Sequence, residues 1–268
     1  MTTIDLVVTD LDGTLWDAHQ VVHPQTLAAW AEVERRGVPV LVATGRRVGS
    51  TAEPLAELGL RPPAVCLNGA LGLDLAGGER FHRATIAADD ATAVLAAFRA
   101  QGLQPCVYVD RDDVAVYVDA EPSTHPLHLQ SFGAAVAVGD LDRVCAAEAV
   151  LAFAVLGGDQ TQLAGVATAV AAAGIAHLDV DTYYGGHTLT VSGPAMSKWN
   201  GVLAFCAARS LDPTRVLAIG DGPNDAELLT GAAVAVAPSN GHPTALGLAD
   251  HHVAPAADGG WATILDLL

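Results

Sequence analysis

Hydrophobic residues in the first part of the chain come in short unbroken runs that alternate with helical patterns. Residues 4–9, 38–43 and 64–67 are almost wholly apolar, which is typical of strands buried on both faces. Between them, residues 24–36 carry apolar positions at helical spacing, and a second helix is predicted to end near Leu58. This alternation predicts an α/β fold: a Rossmann-like, doubly wound parallel sheet with helices on both faces.

The middle of the chain breaks this rhythm. Two predicted helices, near residues 89–101 and 160–173, are mixed with predicted strands such as 104–109 and 175–180. This mixture favours a separate α+β domain inserted at about residues 80–187.

The α/β pattern returns at Lys198, which opens a predicted helix. An apolar strand at residues 216–219 follows, and a closing helix is predicted to reach Leu268. We therefore predict a core domain formed by residues 1–79 together with 188–268.

Charge and hydropathy exclude several classes of function. The 268 residues include 30 acidic and 13 basic side chains, a net charge of −17, which disfavours binding to nucleic acid or to acidic membranes. No apolar stretch reaches the ~20 residues that a membrane-spanning helix needs, and the first residues show no export signal. We expect a cytoplasmic protein, either a monomer or a small homo-oligomer.

The four cysteines are far apart and form no spacing typical of a zinc site or a redox pair. We interpret them as buried thiols in a reducing compartment; they are Cys66, Cys106, Cys145 and Cys206.

A pair of carboxylates follows the first predicted strand, in the segment Asp10-Leu11-Asp12-Gly13-Thr14. Residues i and i+2 of an extended chain point to the same side, so both carboxylates can face one cleft at the carboxyl end of the sheet. Two carboxylates this close repel each other unless a cation or a shared proton lies between them, and Mg²⁺ is the expected partner. The alternative is an ordinary turn after a strand.

Three further polar features have weaker signals when each is taken alone. Segment 220–225 (GDGPND) offers several oxygen ligands after a strand, but an ordinary turn and capped helix explain it nearly as well. Segment 44–46 (TGR) lies where a strand meets a helix and can bind an anion, or it simply caps that helix. Lys198 alone is typical of a solvated surface lysine.

Taken together and in this order, the four features resemble the motifs of the haloacid dehalogenase superfamily of phosphatases. Segments 68–70 (NGA) and 220–229 are similar to its Cof-type subgroup, in which a large α+β cap is inserted between the second and third motifs. The resemblance implies that residues 80–187 form this cap, which covers the cleft and selects the leaving group.

The resemblance also implies a role for each motif residue. Asp10 would be the nucleophile that forms an aspartyl-phosphate, and Asp12 the general acid and base. Mg²⁺ would be held by the Asp10 carboxylate, the Asp12 main-chain carbonyl and Asp221. The phosphate would be bound by Lys198, Thr44, Asn224 and the amides of Leu11 and Gly45.

Two residues are expected at the margin of this site. Asp225 would not bind the metal directly but would orient the metal ligands or bound waters. Arg46 would either touch substrate or form a salt bridge on the surface of its helix. His187, Tyr183 and Tyr184, near the end of the insert, are interpreted as structural residues rather than substrate contacts.

The chain departs from the subgroup pattern at two places. Trp199 follows Lys198 where glycine is common, although Asn200-Gly201 offers a compact backbone one step later. Pro238-Ser239-Asn240 stands where the subgroup usually has a loop containing Met and Asn. Neither departure touches a carboxylate.

Several functions fit these motifs. The leading hypothesis is a Mg²⁺-dependent phosphatase of small phosphorylated metabolites, among which sugar phosphates are the first candidates. A phosphotransferase or mutase would use the same aspartyl-phosphate, whereas a dehalogenase typically has one aspartate in the first motif and this chain has two. A non-catalytic protein that binds a phosphorylated metabolite is the remaining alternative.

Overall fold

The computed structural model describes residues 3–181, 184–194 and 196–268. Its strands, numbered along the chain, are β1 (Leu6–Thr9), β2 (Val40–Ala43), β3 (Pro63–Cys66), β4 (Leu71–Asp74), β5 (Arg80–Arg83), β6 (Cys106–Val109), β7 (Val116–Val118), β8 (Val136–Val138), β9 (Val150–Gly158), β10 (Ile175–Val180), β11 (His187–Ser192), β12 (Val216–Ile219), β13 (Val234–Pro238) and β14 (His251–Val253). Its α-helices are α1 (Pro24–Arg35), α2 (Val48–Glu57), α3 (Ala88–Ala100), α4 (Pro126–Gln130), α5 (Leu141–Ala147), α6 (Gln160–Ala169), α7 (Lys198–Arg209), α8 (Ala226–Gly231) and α9 (Pro243–Leu248).

The chain divides into two compact units. Met1–Arg83 and Ser197–Leu268 form one, and Ala84–Met196 forms the other. The predicted boundaries, 80 and 187, differ because strand pairing extends further along the chain at both points. β5 pairs with β4 in the first unit, and β11 pairs with β9 and β10 in the second.

The first unit is built on an eight-stranded sheet in the order β14-β13-β12-β1-β2-β3-β4-β5. The six strands from β14 to β3 are parallel, while β4 and β5 form an antiparallel hairpin at one edge. β1, with four buried residues, lies between β12 and β2. This architecture confirms the predicted α/β fold, and it brings the carboxyl ends of β1, β2 and β12 side by side.

Both faces of this sheet are covered. On one face Leu6 and Val8 join a buried cluster with Val202 and Phe205 of α7. On the other face, Trp261 donates a hydrogen bond from Nε1 to Thr9 Oγ1 (3.0 Å) and its ring stacks on Trp30 of α1 at 5.7 Å. The hydrophobic positions of β1 therefore alternate between two helical layers, as a doubly wound sheet requires.

The predicted closing helix is present as a 3₁₀ helix, Gly260–Leu267, and not as a longer α-helix. After α9 the chain forms the short edge strand β14 and then two 3₁₀ segments, Ala256–Asp258 and Gly260–Leu267. Pro255 and a left-handed Gly259 (φ 75°) divide this region, so an apolar pattern at helical spacing does not become one continuous helix.

The second unit contains a six-stranded sheet in the order β10-β11-β9-β6-β7-β8. Neighbouring strands are antiparallel except for the parallel pair β7 and β8. Phe98 of α3 stacks on Phe153 of β9 at 6.2 Å, which fixes a helix on one face of the sheet. Near the end of this unit, the Tyr184 ring stacks on His125 with 5.0 Å between ring centroids, and His187 is the first residue of β11. Tyr183 lies outside the described residues.

Two further predictions concern the whole chain. In the described ranges no helix is long and apolar enough to cross a membrane. All four cysteines are buried and free, which confirms their interpretation as buried thiols. Burial raises the pKa of the Cys66 thiol to about 12, so it is not a reactive thiolate.

Candidate active site

The predicted site residues follow the ends of three neighbouring parallel strands. Asp10 follows β1 and donates its backbone N–H to Ile219 O (2.9 Å), the last residue of β12. Thr44 follows β2 and is buried, with its N–H bonded to Val65 O (2.8 Å) of β3. Asp221 comes two residues after the end of β12. Strand pairing therefore gathers residues that are far apart in sequence at one edge of the sheet.

Lys198 is buried between two aspartates. Its Nζ lies 3.0 Å from Asp10 Oδ1 and 2.7 Å from Asp225 Oδ1, and its side chain is fully inaccessible to solvent. The lysine begins α7, whose first turn is capped by the Ser197 hydroxyl through the N–H of Asn200 (3.2 Å). Burial lowers the pKa of Lys198, but the two carboxylates outweigh it and raise this pKa above its ordinary value. The ammonium therefore stays charged.

Three carboxylates crowd together around this lysine. Asp10, Asp221 and Asp225 each offer an oxygen, and these atoms all lie within 4.8 Å of one another. Burial is the main cause of the raised pKa of Asp10; Lys198 opposes it, while Asp225 and Asp221 add to it. Burial and the charge of Asp225 raise the pKa of Asp221 to about 6. Three acids with one lysine carry excess negative charge, and all offer the hard oxygen ligands that a divalent cation prefers.

Asp225 is more deeply embedded than the sequence suggests. Its Oδ2 accepts the N–H groups of Asp221 (3.0 Å) and Gly222 (2.9 Å), and its Oδ1 meets Lys198. A Cβ on Gly220 would lie 2.4 Å from the Asp225 carboxyl carbon, so glycine is needed there. Asp225 thus fixes the loop that carries Asp221 and contacts Lys198.

Gly13 and Thr14 tie the first motif to the last one. Thr14 Oγ1 donates to Asp221 Oδ1 at 3.1 Å, a contact that the sequence alone does not indicate. Gly13 has φ +75°, and a Cβ there would lie 2.4 Å from Asp221 Oδ2. The turn that contains both residues is closed by buried Leu11, whose carbonyl accepts the N–H of Leu15 at 2.9 Å.

Asp12 points to a different partner from the other acids. Arg46 donates two hydrogen bonds to the Asp12 carboxylate, from Nε to Oδ2 and from Nη2 to Oδ1, both 2.6 Å long. Trp16 Nε1 also donates to Asp12 Oδ1 (3.0 Å), and the guanidinium lies 5.0 Å from the Trp16 ring centroid. Arg46 does form a salt bridge, but with the predicted general acid and not along a helix surface, since Arg46 precedes α2. Its partner lies 34 residues away, so no local spacing reveals it.

The remaining predicted phosphate ligands surround a tight turn after β3. Asn224 Nδ2 donates to Asn68 Oδ1 at 3.1 Å, and Gly45 lies against the same Asn68 side chain. Thr44 Oγ1 accepts the N–H of Arg46 at 3.1 Å, which fixes the hydroxyl at the start of this loop. From the sequence, residues 68–70 are notable only because they resemble a family motif. The contact between Asn68 and Asn224 is seen only in the folded structure.

Known proteins resemble this chain in both sequence and fold. A family model described as haloacid dehalogenase-like hydrolase matches residues 7–265. The chain belongs to the haloacid dehalogenase-like hydrolase family. This confirms the resemblance drawn from the motifs and the prediction of an enzyme of this superfamily.

Individual relatives extend over nearly the whole chain. A phosphoglycolate phosphatase of Methanopyrus kandleri is 27% identical over 241 residues, covering 88% of this chain and 84% of that protein. A haloacid dehalogenase-like hydrolase from B. subtilis has a similar structure, with a TM-score of 0.80, 20% identity and coverage of 99% and 100%. A subclass IIB sugar phosphatase gives a TM-score of 0.76 with 18% identity and 98% coverage of both chains. The two structures show that the fold is shared.

Proposed function

We propose that this hydrolase is a Mg²⁺-dependent phosphatase that acts on small phosphomonoesters, sugar phosphates first, through an aspartyl-phosphate on Asp10. One observation carries the proposal: a buried Asp10 lies 3.0 Å from a buried, charged Lys198. Asp221 and Asp225 lie beside this pair. A nucleophilic carboxylate, a cation for the phosphate and further acids for a metal are thus held at one strand edge.

The reaction proceeds in two transfers. An Asp10 carboxylate oxygen attacks phosphorus as the bond from phosphorus to the leaving oxygen breaks, and Asp12 gives its proton to that oxygen. Water then attacks the phosphorus of the aspartyl-phosphate while Asp12 takes its proton. Inorganic phosphate leaves, and the Asp10 carboxylate and protonated Asp12 are regenerated.

The phosphoryl group carries negative charge that the site must balance. Lys198 supplies a fixed positive charge, because its two aspartate partners keep it protonated. Thr44, Asn224 and the amides of Leu11 and Gly45 would donate hydrogen bonds to phosphate oxygens.

A divalent cation fits the donor set of the site. The Asp10 and Asp221 carboxylates and the main-chain carbonyl of Asp12 would hold it, while Asp225 keeps its hydrogen bonds to the loop. When bound, Mg²⁺ neutralises the carboxylate charge and polarises the phosphate. The excess of negative charge around Asp221 is the feature of this chain that favours such an ion.

The leaving group is proposed to be neutral. Ala84–Met196, which we propose as the cap, contains thirteen Asp or Glu residues and three Arg but no Lys. All three arginines are already paired with acids: Arg99 with Asp142, Arg111 with Asp113 and Glu148, and Arg143 with Asp140. Such an acidic unit favours the hydroxyl groups of a sugar over the carboxylate of phosphoglycolate.

The test is release of phosphate from a panel of phosphorylated metabolites, with Mg²⁺ and with a chelator. We expect Mg²⁺-dependent release that disappears in Asp10→Asn and persists in Asp258→Asn, an exposed aspartate in a 3₁₀ turn far along the chain. Release that occurs only when an alcohol acceptor is added would replace hydrolysis by phosphotransfer. No release under any condition would leave a binding role.

A further inference from the structure

The turn between β3 and β4 is strained and buried. Leu67 (φ 52°), Asn68 (φ 54°) and Gly69 (φ 106°) are three successive residues with positive φ. Leu67 and Asn68 are both buried. A leucine rarely adopts this conformation, which persists only where the surrounding structure enforces it. Strain of this kind concentrates at functional sites.

This turn contacts the segment that carries Thr44 and Gly45. The Asn68 N–H donates to Thr44 O (3.1 Å) and the Leu67 N–H to Arg46 O (2.9 Å). A Cβ on Gly45 would lie only 3.1 Å from Asn68 Oδ1, so the Asn68 side chain packs directly on the backbone at this position.

The same turn contacts the beginning of the helix that carries Lys198. A Cβ on Gly69 would lie 2.0 Å from the carbonyl oxygen of Ser197, so only glycine allows this approach. Ser197 caps that helix and immediately precedes the lysine.

The Asn68 side chain makes the third connection, through its hydrogen bond from Asn224 Nδ2 (3.1 Å). A carboxamide nitrogen has two hydrogens, so one is used on Asn68 and the other remains for a phosphate oxygen. The amide of Asn224 cannot rotate freely while its partner is fixed by a buried, strained backbone.

We propose that Asn68 is a positioning residue that orients Asn224 toward the phosphate group, with the Leu67–Gly69 turn as its rigid support. The inference rests on the proposed function. It also explains the strain: a relaxed turn would not hold the Asn68 side chain between Gly45 and Asn224. Asn68 acts through Asn224 and is not itself assigned a contact with substrate.

A double-mutant cycle tests this coupling. Asn68→Gly removes the amide but suits a positive φ, so the variant should keep its melting temperature. We expect Asn68→Gly and Asn224→Ala each to weaken binding of inorganic phosphate, and to lower kcat/KM, by about tenfold. The double variant should be no worse than Asn224→Ala alone. Ser210→Gly is the matched control, because Ser210 (φ 56°) is an exposed helix cap, and it should leave both quantities unchanged.

Two outcomes would overturn the proposal. Effects that multiply in the double variant would show that Asn68 acts independently of Asn224, and wild-type behaviour of Asn68→Gly would show that it positions nothing. Because the cycle is also measured on phosphate binding, it can be completed even where no substrate is turned over. Failure of the proposed phosphatase activity is thereby distinguished from failure of this inference.

Discussion

At the residue scale, the pairing of Asp12 with Arg46 is the contact that most constrains the chemistry. Two short hydrogen bonds and the Trp16 indole determine where the carboxylate points. The Asp12 side chain is 52% exposed, so the pair itself adds little to stability. Its value is orientation, since proton transfer needs the acid within hydrogen-bond reach of the leaving oxygen. Both oxygens accept hydrogen bonds in this arrangement, so one of them must release its Arg46 N–H when Asp12 carries the proton.

This pairing predicts a dependence on the leaving group. Arg46→Met should lower phosphoenzyme formation from alkyl phosphates by about tenfold or more, because misplaced Asp12 delivers its proton poorly. Formation from an aryl phosphate whose leaving group needs no proton should change little. Burst kinetics measure both rates, and Arg35→Met, at an exposed surface pair with Glu32, is the control. Equal losses for both substrates would assign Arg46 a general structural role instead.

The acid cluster predicts how stability depends on pH. The pKa of Asp221 is about 6 in the fold against an ordinary value of 3.8, because of burial and the charge of Asp225. Between these values the native protein binds a proton that the unfolded chain has lost. The contribution of Asp221 to the stability of the metal-free protein therefore falls as pH rises through this window, and it is fully lost above the folded pKa of Asp221.

Mg²⁺ should offset this loss only where the acids are ionised. We expect Mg²⁺ to raise the melting temperature at both pH values, by roughly 2–4 °C more near pH 7.5 than near pH 5. This corresponds to a difference of ~1 kcal/mol in the free energy with which Mg²⁺ stabilises the fold. Asp221→Asn should weaken the pH dependence, leaving the part that comes from the raised pKa of Asp10, and remove the response to Mg²⁺. Calorimetry measures these melting temperatures, with Asp258→Asn as the control. An equal rise of the melting temperature on adding Mg²⁺ at both pH values would contradict this account.

At the scale of elements, the helix that carries Lys198 accommodates its unusual Trp199. A Cβ on Gly231, the last residue of α8, would lie 2.2 Å from the Trp199 ring, so the absence of a side chain there makes room for the indole. Two residues after Trp199, Gly201 lies against Val65 of β3, where a Cβ would come within 2.4 Å. The compact backbone expected at Asn200-Gly201 is thus present, and the Trp199 ring packs against α8 at Gly231.

Gly231→Ala should therefore destabilise the protein by roughly 1–3 kcal/mol, the usual cost of overpacking. Trp199→Ala should relieve that cost when combined with it. The control is Gly247→Ala in α9, where a Cβ meets nothing within 4 Å. That change should be neutral or slightly stabilising. Urea unfolding of the four variants measures these differences, and equal destabilisation by both glycine substitutions would refute the packing argument.

Strands and site residues differ in how far the sequence predicts them. β1, β2 and β12 are unbroken apolar runs in a central sheet, so their ends, and with them Asp10, Thr44 and Asp221, were predictable. The hairpin of β4 and β5 was not, because β5 is short, polar and partly exposed. Contacts such as Asn68 with Asn224 depend on side chains that meet only after folding.

At the scale of the whole molecule, the net charge of −17 affects which substrates approach. Every phosphomonoester is an anion, and one with a carboxylate on its leaving group is repelled further. We expect kcat/KM for a sugar phosphate to exceed that for phosphoglycolate by about tenfold or more at low salt. The ratio should narrow toward ~0.15 M ionic strength, where charges beyond about 8 Å are screened. A preference for phosphoglycolate that salt does not alter would contradict the proposed neutral leaving group.

The central claim is that Asp10 becomes phosphorylated during turnover, and trapping the intermediate tests it most directly. The enzyme would be mixed with Mg²⁺ and its best substrate, quenched in acid within one turnover, digested and examined by mass spectrometry. We predict a phosphoryl group on the peptide that contains Asp10, absent from Asp10→Asn and retained in Asp258→Asn. Undiminished phosphate release by Asp10→Asn, or a phosphoryl group on another residue, would contradict the account.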